Sequence, residues 1–251
     1  MDSAAPIVFS HTRLADAPFV AGRRAFLKFR DIGASAATNE RLRGNIISSE
    51  AAMSQPTGWH YHSCDIQFLF MISGWADLEF NGGAEVHRLH ANTGCILPGG
   101  TPHNECRTAD AFQTLELSLP GPMGTTPVEA TTPPPPRTDN RRPHFFAVDT
   151  ATIATGDDAF FTWRDFGLAA PSEGLTGAYM ITPSGSESGA WITSAPDIRM
   201  IYVVDGAVTI ETDSGPSRAG AGDTIILPAG TRYRASAATG DLRAIVVQTP
   251  A

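Results

Sequence analysis

The chain has 251 residues with 18 Lys and Arg against 26 Asp and Glu, and its net charge of -8 argues against a nucleic-acid or anionic-membrane partner. Only 18% of residues are charged, Gly (24) and Pro (19) are abundant, and no apolar run approaches the roughly 20 residues that span a bilayer. Many short Val/Ile/Leu/Phe runs and no sustained 3.6-residue period predict an all-β protein with tight turns, as one large domain or two of average size.

Nothing near the N-terminus reads as a signal peptide. Asp2 comes early, and the apolar groups Ile7–Phe9 and Phe19–Val20 are too short for its core. Cys64, Cys95 and Cys106 are odd in number and lack metal-knuckle spacing, which fits reduced thiols and a cytoplasmic location. The arm up to about Ala21 has no period and is expected to pack as an irregular extension. Phe26–Phe29 alternates weakly, and Leu42–Ser49 reads as the next strand.

His60 and His62 then stand at i and i+2 on an extended segment, so their side chains share one face. Gln67 follows five residues on, within the apolar run Ile66–Ile72. That run and Trp75–Phe80 form a hairpin about Ser73-Gly74, and Asn81-Gly82-Gly83 makes the next turn. Val86–Leu89, Cys95–Leu97 and Phe112–Ser118 supply further strands. His103 follows the turn Pro98-Gly99-Gly100, where a returning strand can bring it opposite the first pair. Three imidazoles and one carboxamide would make a divalent-metal site with open positions. The spacing favours this over satisfied core or surface histidines. Gln67 has a second reading, as a hydrogen-bonding neighbour of a ligand. His87 and His90 are expected to face solvent, Cys64 to be a buried thiol, and Trp59 and Tyr61 to point away from the metal.

From Pro120 to Pro143 prolines crowd among Thr, Gly and Arg, which predicts an extended linker outside any core. Past it the first half recurs. Arg164-Asp165-Phe166-Gly167 repeats Arg30-Asp31-Ile32-Gly33, Leu175-Thr176-Gly177 repeats Leu42-Arg43-Gly44, and Asp197-Ile198 with Gly206 repeats Asp65-Ile66 with Gly74. Pro228-Ala229-Gly230-Thr231 repeats Pro98-Gly99-Gly100-Thr101, with an offset drifting from 134 to 130 across the four. In this register His60 becomes Ile192, His62 becomes Ser194, Gln67 becomes Arg199 and His103 becomes Tyr233. A guanidinium at a ligand position repels a dication, so the second half should carry no metal. Arg199 and Tyr233 are candidates either for an anionic ligand or for a salt bridge near a barrel mouth.

These residues resemble the cupin superfamily, and the duplication resembles a bicupin. Gly58, His60, His62, Gln67 and Gly74 match the family's first motif, with Gln67 where Glu is usual. Pro98, Gly100 and His103 match the second, with Asn92 in place of its leading Gly, a residue that also tolerates a left-handed backbone. The resemblance implies two tandem antiparallel jelly-roll barrels: residues 1–119 with the N-terminal arm and a metal, a Pro-rich linker over 120–144, and a degenerate barrel over 145–251.

Imidazoles with a neutral oxygen ligand suit Fe, Ni, Zn and, less well, Mn, one divalent metal per chain. Four protein ligands leave two octahedral positions for a small-molecule substrate, or for substrate and dioxygen. The leading expectation is a metal-dependent dioxygenase, an oxidoreductase cleaving an enol, catechol-like or dicarbonyl substrate. The alternatives are redox-neutral Lewis-acid chemistry (cyclase, isomerase or hydrolase) and a non-catalytic small-ligand-binding protein. No nucleic-acid or membrane partner is expected, and the chain would act as a monomer or homodimer.

Overall fold

A computed structural model describes residues 6–22, 24 and 26–250; Asp2 lies outside the described residues. Among the described residues the regular structure is almost entirely β-strand, and every ladder is antiparallel. Among the described residues no helix is long and apolar enough to cross a membrane.

Two compact units form, and they do not follow chain order. Phe19–Asp31 with Glu40–Asp149 makes the histidine unit; Ile32–Asn39, Thr150–Ala251 and the described part of Met1–Pro18 make the companion unit. The histidine unit has a seven-stranded sheet in the order His144–Ala147, Thr93–Pro98, Ile66–Ser73, Phe112–Leu119, Arg43–Ser49, Leu27–Asp31 and Val20–Ala21. Its second face carries the three-stranded sheet Asn104–Thr108, Trp75–Phe80 and Glu85–His90, and the two-stranded ribbon of His60–His62 with Thr125–Pro127.

The strand Ile66–Ser73 shows why this unit closes. Its first six residues are buried, and side chains alternate between faces. Phe68 and Phe70 stack on Phe146, with ring centroids 5.7 and 6.5 Å away, while Leu69 and Met71 face the inner core of Leu78, Leu89 and Phe112. The strand ends at Gly74, whose φ of +72° and close approach to Ala111 (an added Cβ would meet its carbonyl oxygen at 2.3 Å) suit only glycine.

The companion unit repeats the strand order. Its seven-stranded sheet runs Ser10–Thr12, Thr224–Pro228, Ile198–Asp205, Arg243–Thr249, Gly177–Pro183, Phe161–Asp165 and Thr152–Ala154, and its four-stranded sheet runs Ile192–Thr193, Arg232–Ser236, Ala207–Thr212 and Gly215–Gly220. The left-handed turn at Gly74 recurs at Gly206 (φ +69°), and Asn92 at φ +69° stands where the companion has Gly222 at φ +87°. Asn92 does adopt the left-handed backbone expected of it.

Two sequence-based expectations are corrected. The N-terminal arm is not irregular throughout: Ser10–Thr12 forms a strand on Thr224–Ile226 of the companion unit, where Leu14 N and His11 Nε2 also meet the Asp223 carboxylate at 2.8 and 3.2 Å. The Pro-rich segment is not a free linker. Thr125–Pro127 pairs with His60–His62, Arg137 donates to the Gly99 carbonyl, and Arg141 bonds Asp65 at 3.0 Å. The short histidine strand has an edge to cover, and this segment covers it.

Candidate metal centre

The strand His60–His62 directs both imidazoles inward, and His103 reaches them through a backbone bridge to His60. The three rings lie 4.5 to 5.3 Å apart between centroids, and one nitrogen from each falls within 4.8 Å of the others. All three are buried, His103 to 1% exposure.

Carbonyl oxygens fix the orientation of each ring. His60 Nδ1 donates to Gly58 O at 2.8 Å, His103 Nδ1 to Thr101 O at 2.9 Å, and His62 Nδ1 to Gly124 O at 3.3 Å with Thr125 Oγ1 at 3.2 Å. A carbonyl can only accept, so Nδ1 carries the proton and Nε2 keeps its lone pair. Metal-ligating imidazoles are held in this way. Burial first, then the charges of His103 and His60, lower the His62 pKa to about 4, and burial likewise lowers that of His103. His62 and His103 are therefore kept in the neutral form a metal needs.

Gln67 is 2% exposed, and its Nε2 donates to Glu116 Oε1 at 2.9 Å. Its Oε1 is buried without a hydrogen bond, as is His103 Nε2. Leaving such atoms unmatched is costly, and a cation held by the three imidazoles would satisfy His103 Nε2. The three imidazole nitrogens thus fit a divalent metal, with the Gln67 amide oxygen free of any protein partner.

Two carboxyl groups were not singled out from the sequence. Glu105 stands two residues past His103 on the same face, and its Oε1 lies 3.6 Å from His103 Nε2, beyond hydrogen-bond reach. Burial pushes its pKa up, but His103, His60 and the Thr57 hydroxyl outweigh that and hold it below the usual carboxylate range. Glu116 is raised by burial, against the bond from Gln67. The internal repeat could have found both, because Glu105 aligns with Ala235 and Glu116 with Val246 in the half that lacks the histidines.

A cavity of about 790 Å³ adjoins the centre, bordered by His60, His62, Glu105 and Glu116. Trp59, expected to point away, also borders it. His87 is not simply solvent-facing: it stacks on Phe145 at 4.0 Å. In the companion unit Ile192 pairs with Tyr233 where His60 pairs with His103. Arg199 is buried there, bonded to Asp157 and to the Tyr233 hydroxyl. This is the salt-bridged arrangement.

The two units of antiparallel sheet and the inward-facing histidines define a cupin fold. Among solved structures, a single-site mutant of Bacillus subtilis oxalate decarboxylase superposes with a TM-score of 0.71 at 11% identity, covering 98% of this chain and 78% of that one. The E. coli protein Ylba gives 0.70 at 12% identity, covering 98% and 93%. Another Bacillus subtilis oxalate decarboxylase structure, which carries Mn(II) centres, gives 0.69 at 9% identity, covering 98% and 78%. No family model matches the chain, and no curated protein does. At these identities the likeness establishes the fold.

Proposed function

We propose that the chain is a bicupin enzyme of two jelly-roll barrels, with one divalent metal on His60, His62, His103 and Gln67 and none in the companion barrel. The observation that carries this is the set of three buried imidazoles, each tied through Nδ1 to a carbonyl, with their free nitrogens converging beside a cavity. Manganese, which an oxalate decarboxylase neighbour carries, stands with iron, nickel and zinc as the candidate ion.

The metal, when bound, supplies Lewis acidity and, for iron or manganese, redox chemistry. The chain's own residues do the rest. The Nδ1 hydrogen bonds hold the rings in place, and Glu116 turns the Gln67 amide so that its oxygen is left as the ligand. The apolar cavity wall limits water around the substrate. Glu105 Oε1, on the same face as His103, accepts the proton of an enol or phenol.

The first reading is oxygenative cleavage of an enol, catechol-like or dicarbonyl molecule. Redox-neutral chemistry is the second, favoured by Glu105 and Glu116 as acid–base groups in the cavity. Anaerobically purified protein, loaded in turn with iron, manganese, nickel and zinc, should be assayed on acetylacetone and 4-tert-butylcatechol with an oxygen electrode. Oxygen uptake matched to product supports the first reading, and product without uptake supports the second. Failure to retain any of the four metals would overturn both.

A further inference from the structure

The two units form an internal control for the cavity. Leu27 and Phe29 are half-buried and line it, whereas the residues in the same register of the companion, Phe161 and Trp163, are larger and buried to 5% and 3%. With Tyr233 in place of His103, they complete the companion's packed interior. Where the centre exists, the same interior stays open, at about 790 Å³. That is within the range of pockets that enclose drug-sized ligands, roughly 300–1,000 Å³.

The wall away from the histidines is apolar, with Ile47, Leu78 and Leu89 beside Leu27 and Phe29. Among the described residues no lysine borders it, and the two guanidinium groups that do, Arg24 and Arg43, are matched in number by Glu105 and Glu116. Arg24 already donates to the Thr57 carbonyl. A dianion as small as oxalate would leave most of this volume unfilled and would approach Glu105.

We infer that the ligand of the histidine unit is an uncharged molecule whose apolar body fills the cavity against Leu27, Phe29 and Ile47 and whose enol or phenol head faces the three histidines. Burial of the body supplies the affinity, and the head supplies orientation. This rests on the metal reading above for its head, and on the cavity alone for its body.

The test uses full-length zinc-loaded protein and calorimetric titration with 4-tert-butylcatechol, catechol and oxalate. The expected order is 4-tert-butylcatechol at least tenfold tighter than catechol, and oxalate weakest. The double substitution Leu27→Phe and Phe29→Trp, copying the companion unit, should bring 4-tert-butylcatechol to within twofold of catechol at unchanged zinc content. Ile47→Gln, at a half-buried wall position, should cut its advantage severalfold if the double variant does not fold. Oxalate binding as tightly as 4-tert-butylcatechol, or an advantage that survives both variants, would overturn the inference.

A second arm separates it from the metal reading. Metal-free protein should bind the apolar fluorophore 1-aminoanthracene at one equivalent, and Ile47→Gln should weaken that binding. If zinc is not retained but the fluorophore binds in this way, the metal reading fails and the apolar ligand stands. If zinc is retained and the fluorophore does not bind, the apolar ligand fails alone.

Discussion

His60 and His103 exchange both backbone hydrogen bonds, His60 N to His103 O at 3.0 Å and His103 N to His60 O at 2.9 Å. Their positions are therefore set by the backbone, independently of the rings. Ile192 and Tyr233 are paired at the same place in the companion unit with no histidine present.

It follows that His103→Ala should lose the metal and keep the fold. Metal content, read by atomic emission, should fall from about one per chain to near zero. The metal-free variant should unfold in urea within about 2 kcal/mol of metal-free wild type. Full metal retention would remove His103 from the ligand set.

Stability of the metal-free protein should depend on His62. Its pKa is lowered from 6.5 to about 4, by burial first. Between these values the unfolded chain binds the proton and the folded chain does not, so stability is full above pH 6.5 and declines as pH falls towards 4. The loss reaches up to about 3 kcal/mol. Urea midpoints at about pH 7 and about pH 4.5, on either side of most of this loss, measure it, and His62→Gln should reduce the difference, leaving the part that His103 contributes.

Glu116→Gln should weaken metal binding without removing a ligand. Glu116 Oε1 accepts from Gln67 Nε2, and this selects the Gln67 orientation that leaves its Oε1 available. A glutamine there can also donate, and the Gln67 amide is then free to turn its nitrogen to the centre. Loss of about ten- to hundredfold in affinity is expected, on the scale seen for groups that orient metal ligands. Competition with a chromophoric chelator would show it.

The buried ion pair of the companion unit should respond asymmetrically. Asp157→Ala leaves the Arg199 guanidinium buried with one partner fewer and should cost about 2–4 kcal/mol. Arg199→Met replaces the cation with an apolar chain while Asp157, 41% exposed, regains water, and should cost about 1 kcal/mol. Equal losses in urea unfolding would contradict this account.

Much of the centre was legible because motif spacing carries geometry. His60 and His62 share a face by strand periodicity alone, and the repeat offsets put Ile192 against Tyr233 as the ladder does. Asn92 was readable because few side chains tolerate φ near +69°. Glu105 and Glu116 were missed, although their replacement by Ala235 and Val246 was visible in the same register. The Pro-rich segment misled for a physical reason. Proline reads as a break in a sheet, yet Pro127 lies at the edge of a two-stranded ribbon, where a missing N–H is tolerated. Nor does composition reveal that Ser10–Thr12 pairs with a strand more than two hundred residues away.

The distribution of the units along the chain decides how the protein can be cut. A fragment ending at residue 119 would lose the Gly124 and Thr125 contacts of His62 and the strand His144–Ala147 beside Thr93–Ile96. A fragment of residues 145–251 would lack Ser10–Thr12 and present Thr224–Pro228 as a bare apolar edge. Such an edge pairs readily with another copy of itself. Splitting the chain at its proline-rich stretch would therefore yield a half without its metal cover and a half prone to aggregate, rather than two independent barrels.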